Sequence, residues 1–401
     1  MNKIALIHPF KTAFLKELVL APTLLPLQDK EIILLDTELA RYEQLFLNPD
    51  IERHLITRNE LLASFAISKA EVSSLTLAEA QEVYDFVLKN EDYTFVANKL
   101  KKKQKLTQKD HDKLEFFNIA KTFRFLNSQP FQIKNLAPEL IRNLHKKLTQ
   151  GLDIFKNHLP EFELYRSGRW RNNNLIRVGS YIPADFSQIE VGIKGLINYV
   201  SKNATPTGIG VFHTSLYTLH PFNNGNKRVS RILEHLLLRS IGLNKKNLYS
   251  TSYYYHKEKP RYYKYLLYSL ERKNLNHFVS FMLEALSLSI VSVVNLSLQS
   301  KRVDFISKQP KEARMILKPL VKRYELQFKQ LYAKIRRKMA RQTFVNYLQQ
   351  MVEAQIVEKR QQGRATYYSL SLKSEEEKTI SDWLKFLQSR LSYIPDEFRL
   401  V

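Results

Sequence analysis

Apolar residues recur at the 3.6-residue spacing of an amphipathic helix over 77–89, 110–126, 137–151, 186–200, 209–219 and 278–298. Strand-like alternation is scarce, so a mostly α fold is expected. The chain of 401 residues has only 10 glycines and 14 prolines, and 44% of it is hydrophobic. That balance argues against disorder and leaves room for two or three domains with real cores. With no cysteine, disulfides, thiolate metal sites and thiol catalysis are excluded. The run 278–298 is broken by Glu284, Asn295 and several serines, so it reads as a buried helix, not a membrane span. The opening Met1-Asn2-Lys3-Ile4-Ala5 leads to His8, Pro9 and Lys11 without a secretory pattern, and a cytoplasmic protein is expected.

The chemistry concentrates in His220-Pro221-Phe222-Asn223-Asn224-Gly225-Asn226-Lys227-Arg228 and Arg231. Behind it Val229, Ile232, Leu233, Leu236 and Leu237 follow helical spacing. The block is therefore a loop feeding a helix N-terminus, where backbone N–H groups lack intrahelical partners and favour an anion. Gly225 permits close approach of backbone to ligand. Lys227, Arg228 and Arg231 add full charges, and arginine binds phosphate oxygens in a fork. His220 ionises near neutrality and can accept a proton. The residues alone say phosphate chemistry with a histidine base.

The same block resembles the Fic family signature, HxFx[D/E]GNxRxxR, at His220, Phe222, Gly225, Asn226, Arg228 and Arg231. A second His-Pro-Phe, His8-Pro9-Phe10, has no Gly-Asn or arginine after it and is a chance match. The resemblance implies a Fic-type helical core with a small β-hairpin flap. It also implies a protein adenylyltransferase that moves AMP from ATP to a Ser, Thr or Tyr hydroxyl of a target protein. His220 would be the base. Gly225, Asn226, Lys227, Arg228 and Arg231 would hold ATP, and Phe222 would anchor the loop in the core. Residues 166–185 resemble the family's flap, with a turn at Asn172-Asn173-Asn174 and a target-pairing strand Leu175-Ile176-Arg177-Val178. Tyrosines after residue 250, which border the adenine pocket in the family, are expected in this chain to pack the core.

Two departures bear on mechanism. Asn224 stands where the family has a metal-binding carboxylate, so Mg²⁺ (or Mn²⁺) loses a charged ligand. Lys227 stands where AMP-transferring members have glycine. Doc, a Fic relative that transfers phosphate, also reads Asn-Lys-Arg, which leaves a Doc-like kinase activity as an alternative. Residues 24–80 resemble the segment that carries an inhibitory [S/T]xxxE[G/N] helix in some members, with Asn48-Pro49 fitting its layout. Here the motif reads Ser64-Phe65-Ala66-Ile67-Ser68-Lys69. Ser68 replaces the glutamate, and no neighbouring glutamate restores the spacing. Restraint of Arg231 is therefore expected to be absent or weak.

The expected division is an N-terminal helical region (1–95), a catalytic core (96–300) and a C-terminal domain (301–401). The last contains a helix near 344–354 and two short strands around Gln361-Gln362-Gly363-Arg364, the layout of a winged helix. The net charge is +24. Basic residues between Lys301 and Arg341 far outnumber Asp304, Glu312 and Glu325, so DNA is an expected partner of this domain. Asn346, Gln349 and Gln350 could meet base edges. Packing or homodimer contact is the other use, and a catalytically weak Fic-like DNA-binding regulator is the competing reading of the whole chain.

Overall fold

Thr76, Thr107 and Thr205 each turn the chain into a helix by accepting a first-turn N–H on the side-chain oxygen. At Thr76 and Thr107 the third residue, Glu79 or Asp110, reaches back to complete a capping box. Pro138 and Pro206 occupy first helical positions, where the missing N–H costs nothing. The computed structural model describes residues 5–12, 14–46, 49–71, 73–322, 325–371 and 375–395. Residues 1–4 and Asn48, both used above, lie outside the described residues.

In chain order the helices are α1 (Asp29–Phe46), α2 (Pro49–Ser68), α3 (Leu77–Leu88), α4 (Phe95–Lys101), α5 (Gln108–Ser128), α6 (Pro138–Leu148), α7 (Ile189–Lys202), α8 (Pro206–Leu219) and α9 (Asn226–Ser240). They continue as α10 (Thr251–Lys257), α11 (Lys259–Glu271), α12 (Asn276–Ser307), α13 (Lys311–Lys322), α14 (Phe328–Ile335), α15 (Arg341–Glu353) and α16 (Glu375–Arg390). Each segment given helical spacing above contains a helix, although 149–151 lie beyond α6 and Phe186–Gln188 form a 3-10 turn ahead of α7. The chain is mostly α, with one small sheet ordered β1-β3-β2 (Leu326–Gln327, Ala365–Leu370, Val357–Gln362).

Contacts divide the chain into two units, 1–37 with 48–289 and 38–47 with 290–401. Three domains were expected, and residues 1–95 do not stand apart. In the first unit α2 packs on α5, α9 and α10, which joins the N-terminal helices to the core. The boundary near 300 also moves, because α12 is one uninterrupted helix through that position.

Helix α8 lies at the centre of the first unit. Segment 209–219 reads as amphipathic, yet every residue from Ile209 to Leu219 is buried, because α7, α9 and α11 all pack against it. Several of its polar side chains find partners inside the protein, although the Ser215 hydroxyl has none. Thr214 and Thr218 donate to the carbonyls four residues back, and His213 Nδ1 lies 2.6 Å from Glu234 of α9. Helix α12 is long and apolar enough to cross a membrane, but 78% of its most apolar window is buried inside the protein.

The second unit has its own core. Ile316, Leu317 and Leu320 of α13 meet Leu331, Ile335, Phe344 and Leu348 of α14 and α15, closed by Val357, Tyr368 and Leu370 of the sheet. Six antiparallel pairs, from Val357 opposite Leu370 to Gln362 opposite Ala365, set the β2–β3 register. Gly363 takes φ +59° at the tip. Strand β2 takes in Gln361 and Gln362, which were expected between the strands, and leaves Gly363 and Arg364 as the turn.

Candidate active site

Helix α8 ends where His220 takes the left-handed conformation (φ 49°, ψ 61°), unusual for a residue with a Cβ. That turn aims the chain through Pro221 into the signature loop. The loop closes on itself through Asn226, whose side chain accepts from the Phe222 N–H at 3.0 Å and donates to the Phe222 carbonyl at 2.8 Å. The Asn226 side chain therefore holds the loop. Phe222 is fully buried, as expected of an anchor. His145 of α6 stacks on its ring at 3.8 Å and 6°, and Trp170 packs at 4.9 Å.

His145 was not legible in the sequence, and its role is specific. Gly168 N–H donates to Nδ1 at 2.9 Å, so the proton sits on Nε2, which donates to the Asn224 carbonyl at 3.0 Å. Burial pushes this imidazole down to about 4, with the Asn224 carbonyl opposing. Gly225 follows at φ +83°, and a Cβ there would sit 3.3 Å from His145 Nε2. Glycine is needed for both reasons. Asn224 Oδ1 accepts from the Gly225 N–H at 2.7 Å, so the oxygen expected to ligate a metal already serves the turn. Among the described residues no group of three or more His, Asp or Glu is placed to hold a metal.

His220 opens onto a cleft of about 610 Å³, within the usual range for small-molecule sites. Asn223–Lys227 and the start of α9 form its polar side. Ile176, Val178, Leu266, Leu267 and Leu270 form an apolar side, and Tyr263 lies between. Of the tyrosines expected to pack the core, Tyr254, Tyr255 and Tyr262 do so, while Tyr263 borders the cleft. Burial, then Arg171 and Lys227, push the His220 imidazole down to about 3. It is neutral at pH 7 and able to accept a proton.

The three cations of the block are all engaged. Arg228 is buried and bridges Glu115 of α5 at 2.7 Å, while the Tyr165 hydroxyl donates to the same carboxylate at 3.1 Å. Burial pushes the Glu115 carboxyl up and Arg228 opposes it. Arg231 donates to the Ala66 carbonyl of α2 at 3.0 Å and stacks over Tyr262 at 4.3 Å. The degenerate inhibitory stretch thus does lie against Arg231, through a carbonyl and not a carboxylate. Ser64 is fully buried and Ser68 turns back to the Phe65 carbonyl at 2.8 Å. Yet a glutamate enters the cleft from just beyond α2: Glu71 accepts from Lys227 Nζ at 2.9 Å. Tyr263 fixes this segment by donating to the Ala70 carbonyl. No spacing rule flagged Glu71, because the chain leaves helical geometry after Ser68. Glu163, a second carboxylate at the cleft, is pushed up by burial and by Glu71.

The expected β-hairpin is present in its shortest form. Within 166–185 there is no regular strand, and the strand pairing is the antiparallel bridge Val178–Tyr181 around Gly179-Ser180. The turn is therefore at 179–180, not at Asn172-Asn173-Asn174. The asparagines hold the base of the segment, with Asn174 Oδ1 accepting from Phe186 N–H at 2.9 Å. Leu175, Ile176, Arg177 and Val178 do line the cleft. Arg171, buried and unflagged by any motif, ties the segment down. It donates to the carbonyls of His220 (2.7 Å), Asn173 (2.6 Å) and Ala184, and its N–H reaches Pro221 O at 2.8 Å.

A buried histidine at a helix end, a glycine turn and a cation-bearing helix start, framed by an extended flap, define a Fic-type site on a Fic-type helical fold. Residues 135–238 match the model of the Fic/DOC family. Solved structures that resemble it include Fic-1 from C. elegans, at 14% identity over 68% of this chain and 73% of that one, TM-score 0.50. Others are a Fic family protein from Desulfovibrio desulfuricans (18%, 86% and 97%, TM-score 0.49) and a Fic domain containing signaling protein from Bacteroides thetaiotaomicron (15%, 66% and 97%, TM-score 0.46). At these identities the likeness concerns the fold alone. No curated protein matches the sequence significantly. Fic family proteins are typically transferases, and that is the coarse functional class of this chain.

Proposed function

We propose that the protein transfers AMP from ATP to a Ser, Thr or Tyr hydroxyl of a target protein. The observation that carries this is a neutral, buried His220 at a cleft with a phosphate-suited polar side and an apolar side sized for a nucleobase. The first-turn N–H groups of α9, with Lys227 and Arg231, receive the phosphates. Ile176, Val178, Tyr263 and Leu267 face the base. The target segment lies along the exposed backbone of 175–177.

The hydroxyl oxygen forms its bond to the α-phosphorus as the bond to the bridging α–β oxygen breaks. Pyrophosphate leaves with that electron pair, and the hydroxyl proton passes to His220. The triphosphate's negative charge raises the His220 pKa from its low resting value and makes it a better base. The residues present do not make a metal site of their own. A divalent cation would be held by the triphosphate's oxygens, and no step here runs through it.

Lys227 favours a second reading. Its ammonium stands inside the cleft, in contact with Glu71 and 4.9 Å from the Tyr263 ring centre, where it could seat the β-phosphate and turn the γ-phosphorus toward the hydroxyl. ATP labelled at the α- or γ-phosphorus separates the two. Transfer of α label that is lost in His220→Ala supports adenylylation, and γ label alone supports a kinase. Failure of both labels with Mg²⁺ and with Mn²⁺ would sink the transferase reading for ATP. Glu71→Gln, which frees Lys227, is expected to tighten ATP binding severalfold by calorimetry.

A further inference from the structure

The second unit carries a surface that the transferase chemistry does not use. Its order is helix α13, strand β1, helices α14 and α15, then the hairpin β2–β3. One face of α15 is spent on the core, through Phe344, Leu348 and Met351. The opposite face presents Gln342, Asn346, Gln349 and Gln350 to solvent, and no apolar side chain interrupts that row. Gln342 Nε2 donates to Asn346 Oδ1 at 3.0 Å, and Gln349 Nε2 to Glu353 Oε1 at 3.1 Å. These bonds hold side chains that would otherwise be mobile in a defined row. Each amide keeps further donor or acceptor capacity.

Charge surrounds this row. Lys334, Arg336, Arg337 and Lys338 are exposed at the α14–α15 turn, and Arg341 opens α15. Lys359 and Arg364 are exposed on the hairpin, and at its tip a Cβ on Gly363 would point into open space. Arg360 is different, being bridged to Glu325 at 2.7 Å and laid over Tyr367. A protein-binding face would show an apolar centre. Among the described residues of this unit the one large apolar side chain with high exposure is Val303, on α12.

We propose that residues 311–370 form a winged-helix module that lays α15 in the major groove of duplex DNA and favours sites containing adenine. A helix of this length, about 20 Å, spans the groove of B-form DNA. The deep, narrow major groove of A-form RNA would not admit it. Asn and Gln amides match the N6 donor and N7 acceptor of adenine in a two-point contact, so the row Gln342, Asn346, Gln349 and Gln350 sets the base preference. Arg336, Arg337 and Lys338 take phosphates on one side, and Lys359 and Arg364 of the hairpin take them on the other. This inference stands on the second unit alone and does not depend on the transferase reading.

The test uses the full chain, without nucleotide, and a library of duplexes about 25 base pairs long, at salt from about 50 to 200 mM. Selection is expected to enrich adenine-containing sites, with affinity falling linearly on a log–log plot against salt. Asn346→Ala with Gln350→Ala should cut the preference for the selected site about tenfold while changing binding to scrambled duplex little. Arg336→Ala with Arg337→Ala should weaken binding to every duplex and flatten the salt slope by about two. All four positions are exposed, and unchanged circular dichroism and melting verify that each variant is folded. The proposal is overturned by any of three results. These are no duplex binding at the lowest salt, tighter binding to double-stranded RNA or single strands, and a sequence preference that survives both α15 substitutions.

Discussion

The signature loop and the flap face each other across one cleft and are built on opposite principles. In the loop nearly every polar side chain is committed. Asn226 holds Phe222, Arg228 is bridged to Glu115, Arg231 reaches Ala66 and Lys227 reaches Glu71. In the flap the backbone makes one bridge, Leu175 is 84% exposed and Ile182 60%. The contrast separates two tasks. Positioning phosphates demands geometry fixed before the ligand arrives, whereas accepting a segment of another protein favours an open, extended backbone. The flap is held at its base, where Arg171 donates to the carbonyls of Asn173, Ala184 and His220.

The comparison breaks if the loop's buried pairs turn out to be dispensable. Glu115→Ala leaves Arg228 charged, buried and unpaired, and should cost about 3–5 kcal/mol in urea unfolding. Arg171→Ala strands several carbonyls and should cost about 2–3 kcal/mol. It should also make residues 173–184 sensitive to protease and abolish label transfer, with Arg171→Lys only partly restoring it. A loss of transfer without new cleavage in the flap would mean that Arg171 serves His220 alone.

Acid sharpens the contrast, because His145 and His220 hold the signature loop and its helix α9 carries the buried His235. Burial holds His145 at about 4 and His220 and His235 at about 3, against an unfolded value near 6.5. Between those values the unfolded chain binds more protons than the folded one. Stability should therefore be unaffected by these groups above pH 6.5 and fall as pH drops through the window toward 3. Each histidine contributes at most about 1.4 kcal/mol per pH unit. Replacing His235 by Gln, which keeps a partner for Asn127, should make the acid limb of a melting-temperature profile shallower. The smallest effect is expected at the flap's tip. Leu175→Ser should leave stability within about 0.5 kcal/mol while reducing transfer to protein more than ATP hydrolysis or binding.

Much of the site was legible. His220, Gly225 and the cations of 227–231 are neighbours in sequence, so local spacing and a helix start were enough to bring them together. What sequence could not give was their partners. Glu115, Glu71, His145 and Arg171 come from separate segments, and Lys227 and Glu71 are 156 residues apart. No periodicity links them. The displaced turn has a related cause. Asn173 Oδ1 accepts from the Leu175 N–H and bends the chain locally, but Asn174 Oδ1 is held by the distant Phe186 N–H, and the reversal falls at Gly179-Ser180.

By itself the sequence determined the helical segments, the loop-to-helix phosphate element and the resemblance to the Fic family, because these depend on spacing along one stretch of chain. Tertiary structure decided what each cation is engaged with, where the flap turns, that Glu71 stands in the cleft and that α8 is buried on every side. Those outcomes depend on which surfaces desolvate each other, a property of distant segments brought together and not of either segment alone.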